Sequence, residues 1–154
     1  QVAVTAAGGE VKKGTNGSHI GIANKIELTN KGLNNPLYKD KNNIFNTPAF
    51  NFDEVVTTPN NAVCLASNKI NKIQGLNFKI GISEIWGLQY HPEITYQKMI
   101  DIIKFRKNAL IKNRNSFKNE EDVNNHINFI EEEIKISEKN SRMLELRNWL
   151  NLIN

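Results

Sequence analysis

The chain of 154 residues has the length and composition of one globular domain, with 39% hydrophobic and 23% charged residues. It has no apolar run long enough to span a bilayer and no signal-peptide pattern at its start, so we expect a cytoplasmic protein without membrane contacts. The net charge of +4 does not indicate nucleic-acid binding, because the lysines are scattered along the chain. The lone Cys64 excludes an internal disulfide and agrees with a reducing compartment.

The first residues have the pattern of the end of a helix. Residues 2–7 are mostly small or apolar, and they lead into Gly8 and Gly9, which are typical of a helix C-terminus. Because the chain starts at Gln1 without a methionine, we expect it to begin inside a domain. A strand is predicted over residues 10–13, before a polar turn.

The middle of the chain is predicted to be mostly extended. Alternating apolar and polar residues over 20–29 predict a half-buried strand interrupted at Ala23 and Asn24, and residues 30–43 are predicted to be a loop around Pro36. Further extended segments are predicted at residues 45–56, 62–67, 73–79 and 82–90. The last three are joined by turns too short for crossover helices, so these neighbours are expected to pair antiparallel.

The final strand leads into a motif with chemical potential. The apolar, aromatic run before His91 is typical of a strand buried on both faces of a sheet, and Pro92 is expected to end it. Because the residue before a proline is extended, His91 and Glu93 are predicted to point to the same side. The carboxyl ends of strands are where open α/β sheets bind ligands.

Helices are predicted for the rest of the chain. Thr95 is a suitable N-cap for an apolar stripe that runs to residue 111, and similar stripes predict helices over residues 120–136 and 142–153. Trp149 is a large apolar side chain, so we expect it to dock on the body of the domain or on a second subunit. The organisation predicted is a single domain over 1–154, with a helical tail over 113–154 docked on it.

A histidine beside a carboxylate can act as the base and orienting group of a nucleophilic triad. The alternative is structural: His91 ends a strand, and Glu93 is favoured by the dipole at a helix N-terminus. The residues alone leave both interpretations open.

Cys64 is the only cysteine that could supply the nucleophile, and small residues flank it as in a nucleophile elbow. An elbow needs a helix directly after it, whereas a polar turn and another strand follow Cys64, so we predict a core residue. Neither His19 nor His126 has the spacing of a metal ligand, and the glycine segments lack the pattern of a phosphate loop. No metal, nucleotide or other cofactor is expected.

The chain resembles class I glutamine amidotransferases, specifically the stand-alone group similar to the glutaminase domain of GMP synthetase. The residues that carry the resemblance fall in the order of that family: 1–9, 19–29, 35–38, 50–55, 62–68, Gln74, 86–93 and 146–149. The resemblance implies a flavodoxin-like, three-layer α/β fold with a mixed sheet and C-terminal helices. It also implies that the nucleophile elbow, Gly-x-Cys-x-Gly-x-Gln in the family, lies before Gln1, so that the fold here is incomplete.

By the same resemblance, His91 is the general base and Glu93 its orienting carboxylate in the hydrolysis of the glutamine side-chain amide. Without the nucleophile, the 154 residues alone are expected to be inactive. The family pattern also implies which residues contact the substrate glutamine: Gln1, Asn51, Phe52 and Asp53. Asn51 replaces the histidine usual at its position. A synthase partner or a homodimer is compatible with the family.

Two other functions remain open on the sequence. A γ-glutamyl peptidase or hydrolase shares the same triad and fold. A non-catalytic interaction module would use Trp149 and the tail helices, and it requires His91 and Glu93 to be structural.

Overall fold

The computed structural model describes residues 1–137 and 139–153, and for residues 139 and 140 only the backbone. The strands are β1 (Glu10–Lys13), β2 (His19–Ile20), β3 (Ala23–Leu28), β4 (Ile44–Thr47), β5 (Phe50–Asn51), β6 (Asp53–Thr57), β7 (Val63–Ser67), β8 (Gly75–Ile80) and β9 (Ser83–Leu88). The helices are α1 (Val2–Ala6), α2 (Asn30–Leu33), α3 (Tyr96–Lys112), α4 (Glu120–Ile136), α5 (Lys139–Arg142) and α6 (Leu144–Ile153), with a 3-10 turn at Pro36–Tyr38.

A five-stranded sheet in the order β4-β3-β7-β8-β9 forms the centre of the described structure. Each neighbouring pair in it runs antiparallel, which confirms the pairing predicted for β7, β8 and β9 from their short connections. Two smaller antiparallel pairs, β1 with β6 and β2 with β5, flank it. Strand β5 lies near the end of β9, where the backbone N–H of His91 donates to the carbonyl of Pro48 at 2.8 Å.

The strand predicted to be buried on both faces is β9, and that prediction is wrong for the described residues. Within them β9 pairs only with β8 and forms an edge of the sheet. Its apolar side chains are half-buried on both faces: Ile85 packs against one apolar cluster, and Trp86 and Leu88 pack against another.

The interruption predicted at Ala23 and Asn24 is an irregularity in β3, whose pairing with β4 shifts register between Ala23 and Ile26. A second break, which was not predicted, lies before this strand. The chain turns at Gly21, which has a φ of +86°, and β2 ends before it. A Cβ atom there would lie 2.7 Å from the terminal methyl groups of Ile103 and Ile130, so the close approach of α3 and α4 also requires glycine.

The segment predicted to be a loop over residues 30–43 contains two short helical turns. The hydroxyl of Thr29 caps α2 by accepting from the N–H of Gly32 at 3.0 Å, and the side chain of Asn35 caps the 3-10 turn. These turns are too short to show an apolar period, and local side-chain caps define them instead.

Helices α3 and α4 pack against each other, as their stripes predicted, and bury a shared apolar cluster that includes Ile20, Ile100 and Ile130. Thr95 caps α3 through the N–H of Lys98 at 3.2 Å, which confirms the predicted start of that helix. No described helix is both long enough and apolar enough to cross a membrane.

The end of the chain docks through polar groups more than through Trp149. That side chain keeps 40% of its surface exposed, and its docking on the body of the domain or on a second subunit stays a prediction. Glu145 is completely buried instead, and the side-chain amide of Asn148 donates to the carbonyls of Leu37 and Lys39, both at 2.9 Å. The helix predicted over 142–153 is divided between α5 and α6.

Candidate active site

A cavity of about 360 Å³ opens where β9 ends, between the bend that joins β5 to β6 and helix α3. Such a volume lies in the range of small-molecule sites. The residues that line it are Gln1, Val2, Phe50, Asn51, Phe52, Asp53, Leu88, Gln89, His91 and Arg106. The structure therefore brings five of the six predicted site residues to one cavity, and the sixth, Glu93, contacts the His91 ring.

His91 and Glu93 form a hydrogen-bonded pair. The Nδ1 atom of His91 lies 2.8 Å from Oε1 of Glu93. A carboxylate can only accept, so Nδ1 carries the hydrogen of the neutral ring and Nε2 keeps a free lone pair. Both side chains remain partly exposed, at 40% and 52%. The arrangement leaves one ring nitrogen able to accept a proton from a group in the cavity.

The backbone around Glu93 is held by the tail of the chain. The guanidinium of Arg142 donates to the carbonyl of Pro92, and also to that of Ile94 at 3.0 Å. These two carbonyls lie on either side of Glu93. Because Arg142 is itself buried, this contact fixes the turn that carries the carboxylate.

A second contact of the tail reaches the residue before His91. The hydroxyl of Tyr90 donates to Oε1 of Glu145 at 2.8 Å and lies 2.9 Å from the hydroxyl of Tyr38. Burial is the main cause that raises the pKa of Tyr90 well above its ordinary value, so this hydroxyl stays protonated. Buried side chains therefore hold the chain on both sides of His91: Tyr90 before it, and Arg142 at the residues after it.

Three side-chain amides converge on the backbone carbonyl of Asp53. Gln1 donates to it at 3.0 Å, Asn51 at 3.1 Å and Gln89 at 2.8 Å. The amides come from the start of the chain, from β5 and from the end of β9. These three hydrogen bonds connect the segments that line the cavity, and they fix the bend between β5 and β6.

His19 lies next to the same bend, opposite Asn51 in the pairing of β2 with β5. It is buried, and its Nε2 atom lies 3.0 Å from the side-chain amide nitrogen of Asn68. Burial lowers the pKa of His19 to about 4, and the neighbouring Asn51 side chain offsets only part of that effect. His19 is therefore neutral near pH 7 and serves as a hydrogen-bonding support.

Cys64 does not belong to this cavity. It lies in β7, half-buried among apolar side chains that include Ile73 and Leu76, and it is not among the residues that line the cavity. Burial raises the pKa of its thiol, which disfavours the reactive thiolate. The structure does not bring Cys64 to His91.

The two other histidines do not form a metal site in the described part of the chain, where no three His, Cys, Asp or Glu side chains come together. The ring of His126 contacts the carbonyl of Ile20 through Nε2 at 2.5 Å.

Three residues at or near the site were not predicted from the sequence: Gln89, Arg106 and Arg142. The sequence contains an indication for Arg106. It follows the buried Met99 by seven residues and Ile103 by three, so the helical period places its charge beside the buried stripe of α3. The contacts of Arg142 join residues about 50 positions apart and leave no local pattern.

The fold and this site define a class of protein. The model of the class I glutamine amidotransferase family matches residues 1–108, and the chain belongs to that family. The structural neighbours share its class I amidotransferase fold, which confirms the fold class that the resemblance implied.

Among curated proteins, the chain is similar to a γ-glutamyl-L-1-hydroxyisopropylamide hydrolase of a Pseudomonas species. The two are 30% identical over 168 aligned positions, which cover 97% of this chain and 57% of the relative. The chain thus spans little more than half the length of that protein.

Solved structures agree on the fold. A glutamine amidotransferase from Thermotoga maritima superposes with a TM-score of 0.62 at 20% identity, over 95% of this chain and 55% of the other. The protein SMU.1228c gives a TM-score of 0.67 at 18% identity, over 98% and 58%. A protein from Thermoplasma acidophilum that is similar to GMP synthase gives 0.51 at 16% identity, over 71% and 56%.

Proposed function

We propose that this chain carries the base half of a thiol-dependent hydrolase of γ-glutamyl amides, with glutamine as the simplest substrate. The observation that carries the proposal is the 2.8 Å contact between His91 Nδ1 and Glu93, which leaves Nε2 free beside the cavity. The bend over residues 51–53, together with Gln1, binds the substrate. A cytoplasmic location, where a thiol stays reduced, fits this chemistry.

In the proposed reaction a cysteine thiolate attacks the side-chain carbonyl carbon, and backbone N–H groups stabilise the oxyanion. His91 takes the thiol proton through Nε2 and gives it to the leaving nitrogen as the carbon–nitrogen bond breaks. A water molecule then attacks the thioester while His91 accepts its proton, and glutamate leaves as the thiolate forms again. Glu93 keeps the ring in the reactive tautomer and stabilises its positive charge.

The nucleophile in this proposal is not Cys64, because that thiol lies in β7 away from the cavity. The proposal therefore takes the cysteine from outside residues 1–154. We expect no release of ammonia from glutamine by the 154-residue polypeptide alone.

Two substrate classes fit the same site. Hydrolysis of free glutamine would deliver ammonia to a synthase partner or to a second domain. Hydrolysis of a larger γ-glutamyl amide needs no acceptor, and the similarity to a γ-glutamyl-L-1-hydroxyisopropylamide hydrolase favours this second reaction.

The experiment measures glutamate and amine release from glutamine and from a γ-glutamyl alkylamide. The 154 residues are assayed alone and joined behind a segment that carries Gly-x-Cys-x-Gly. We expect activity only in the joined protein, with no effect of Cys64→Ser. Activity of the chain alone, or its loss on Cys64→Ser, contradicts the proposed nucleophile. An inactive but folded joined protein supports an interaction module instead.

A further inference from the structure

Arg106 brings a positive charge to the cavity that contains His91. It projects from α3, lines the cavity and lies with its guanidinium carbon 5.5 Å from the centre of the Phe50 ring. Phe50 in turn packs edge-on against Phe52 at 5.8 Å. The side chain as a whole is exposed, and the aromatic contact favours a position of the guanidinium beside Phe50 while its N–H groups stay available for another partner.

No carboxylate of the described residues pairs with this guanidinium. The ion pairs of the described part involve lysines and His91, and Arg106 is in none of them. Arginine stays protonated at any physiological pH, so the cavity holds a permanent cation. Asp53, which lines the same cavity, supplies an opposite charge. The wall of the cavity thus offers one cation and one anion.

A γ-glutamyl group has a matching pair of charges. Its α-carboxylate and α-ammonium lie at the end remote from the amide that is cleaved. With the amide at His91, a cavity that holds this group needs a cation for the carboxylate. Guanidinium is well suited, because its planar fork can bind both carboxylate oxygens.

We infer that Arg106 binds the α-carboxylate of the substrate and so selects γ-glutamyl compounds with a free α-carboxylate. The inference rests on the proposed function, because it places the amide at His91. It assigns to α3 a role in substrate recognition beyond packing.

Arg114 provides a matched control. Its guanidinium carbon lies 4.6 Å from the centre of the Phe52 ring, so it makes the same type of aromatic contact. It is not among the residues that line the cavity. A substitution of Arg114 therefore removes an equal charge and a similar contact near the site without touching the proposed carboxylate position.

The test is an NMR titration with L-glutamine of the joined protein described above, with the cysteine of its added segment replaced by serine, followed through the His91 ring and the backbone N–H of Asp53. We expect Arg106→Gln to raise the Kd about tenfold or more, and Arg106→Lys to raise it less because the bidentate geometry is lost. Arg114→Gln should leave the Kd unchanged. The same titration with L-glutaminamide, which lacks the α-carboxylate, should give weaker binding that Arg106→Gln does not alter.

An unchanged Kd for glutamine in a folded Arg106→Gln variant overturns the inference and leaves the proposed function intact. An equal loss for glutaminamide also overturns it, because the effect then does not depend on the carboxylate. If the joined protein with Arg106 intact binds neither compound, the inference and the proposed substrate site both fail.

Discussion

Lys41 Nζ and Glu145 Oε2 lie 3.0 Å apart, and both side chains are almost completely buried, at 1% and 0% exposure. The pair joins the loop before β4 to helix α6. Burial lowers the pKa of Lys41, and the charge of Glu145 opposes that shift. Since Glu145 also accepts from Tyr90, the pair connects the tail of the chain to the residue next to His91.

We predict that Glu145→Gln destabilises the fold by about 3 to 5 kcal/mol, because it leaves the Lys41 ammonium buried without a counter-charge. Urea unfolding measures the change. As a control, Glu10→Gln removes the exposed pair with Lys12 and should cost about 0 to 1 kcal/mol. The double variant Lys41→Met, Glu145→Leu should be more stable than Glu145→Gln. A single variant as stable as the control would show that the pair does not hold the tail in place.

His19 is predicted to make the fold sensitive to mild acid. Its pKa is lowered to about 4 in the folded state, from an ordinary value of 6.5. Between these values the unfolded chain binds more protons than the folded one, so stability falls as the pH drops from about 6.5 to about 4. The loss is on the order of 3 kcal/mol.

The measurement is the free energy of unfolding as a function of pH for the unsubstituted chain and for His19→Gln. The difference between the two proteins should change across this window and stay constant above about pH 7. Parallel curves would contradict a neutral, buried His19.

Gly21 is predicted to tolerate no side chain. Gly21→Ala combines a φ of +86° with a Cβ placed 2.7 Å from Ile103 and Ile130. We expect a loss of about 3 kcal/mol or more in thermal unfolding, from backbone strain together with overpacking of the core. Gly81→Ala has a similar φ of +59° in open space, so it should cost only about 1 to 2 kcal/mol. Equal losses would show that backbone strain alone decides the cost.

Arg142 is predicted to be a positioning residue for Glu93. Arg142→Gln shortens the donor that reaches the carbonyls of Pro92 and Ile94, so the turn with Glu93 shifts relative to His91. In a catalytically complete protein we expect kcat to fall roughly tenfold to a hundredfold, while KM changes little. Arg142→Lys should restore part of the rate. A purely structural role for Arg142 would lower the melting temperature and leave kcat per folded molecule unchanged.

The sequence predicted those parts of the fold that local chemistry determines. Helix α3 follows from its cap at Thr95, and both α3 and α4 follow from long apolar stripes. His91 and Glu93 are in contact, as predicted, but across a turn in which the N–H of Ile94 donates to the carbonyl of His91 at 3.1 Å, and not along an extended chain. The turn at Gly21 could not be predicted in this way, because it depends on how closely α3 and α4 approach the chain there.

The remaining features of the site join residues that are remote in sequence. The carbonyl of Asp53 accepts hydrogen bonds from side-chain amides of residues 52 and 36 positions away. Because this acceptor belongs to the backbone, the pattern of side chains in the sequence does not indicate it. The packing of the tail depends on Lys41 and Glu145, which are 104 positions apart. Such contacts follow from the tertiary structure and not from the local sequence.

In the proposed reaction, His91 is the general base and Glu93 orients it. The most direct measurement is the rate of glutamate formation from a γ-glutamyl amide by a protein that contains these residues together with the nucleophilic cysteine. We predict that His91→Gln lowers kcat about 10²- to 10⁴-fold and Glu93→Gln by a smaller factor, with unchanged melting temperatures. Glu84→Gln, at an exposed carboxylate in β9, should have no effect. A folded His91→Gln protein that keeps the unsubstituted rate would contradict the role of His91 as the general base.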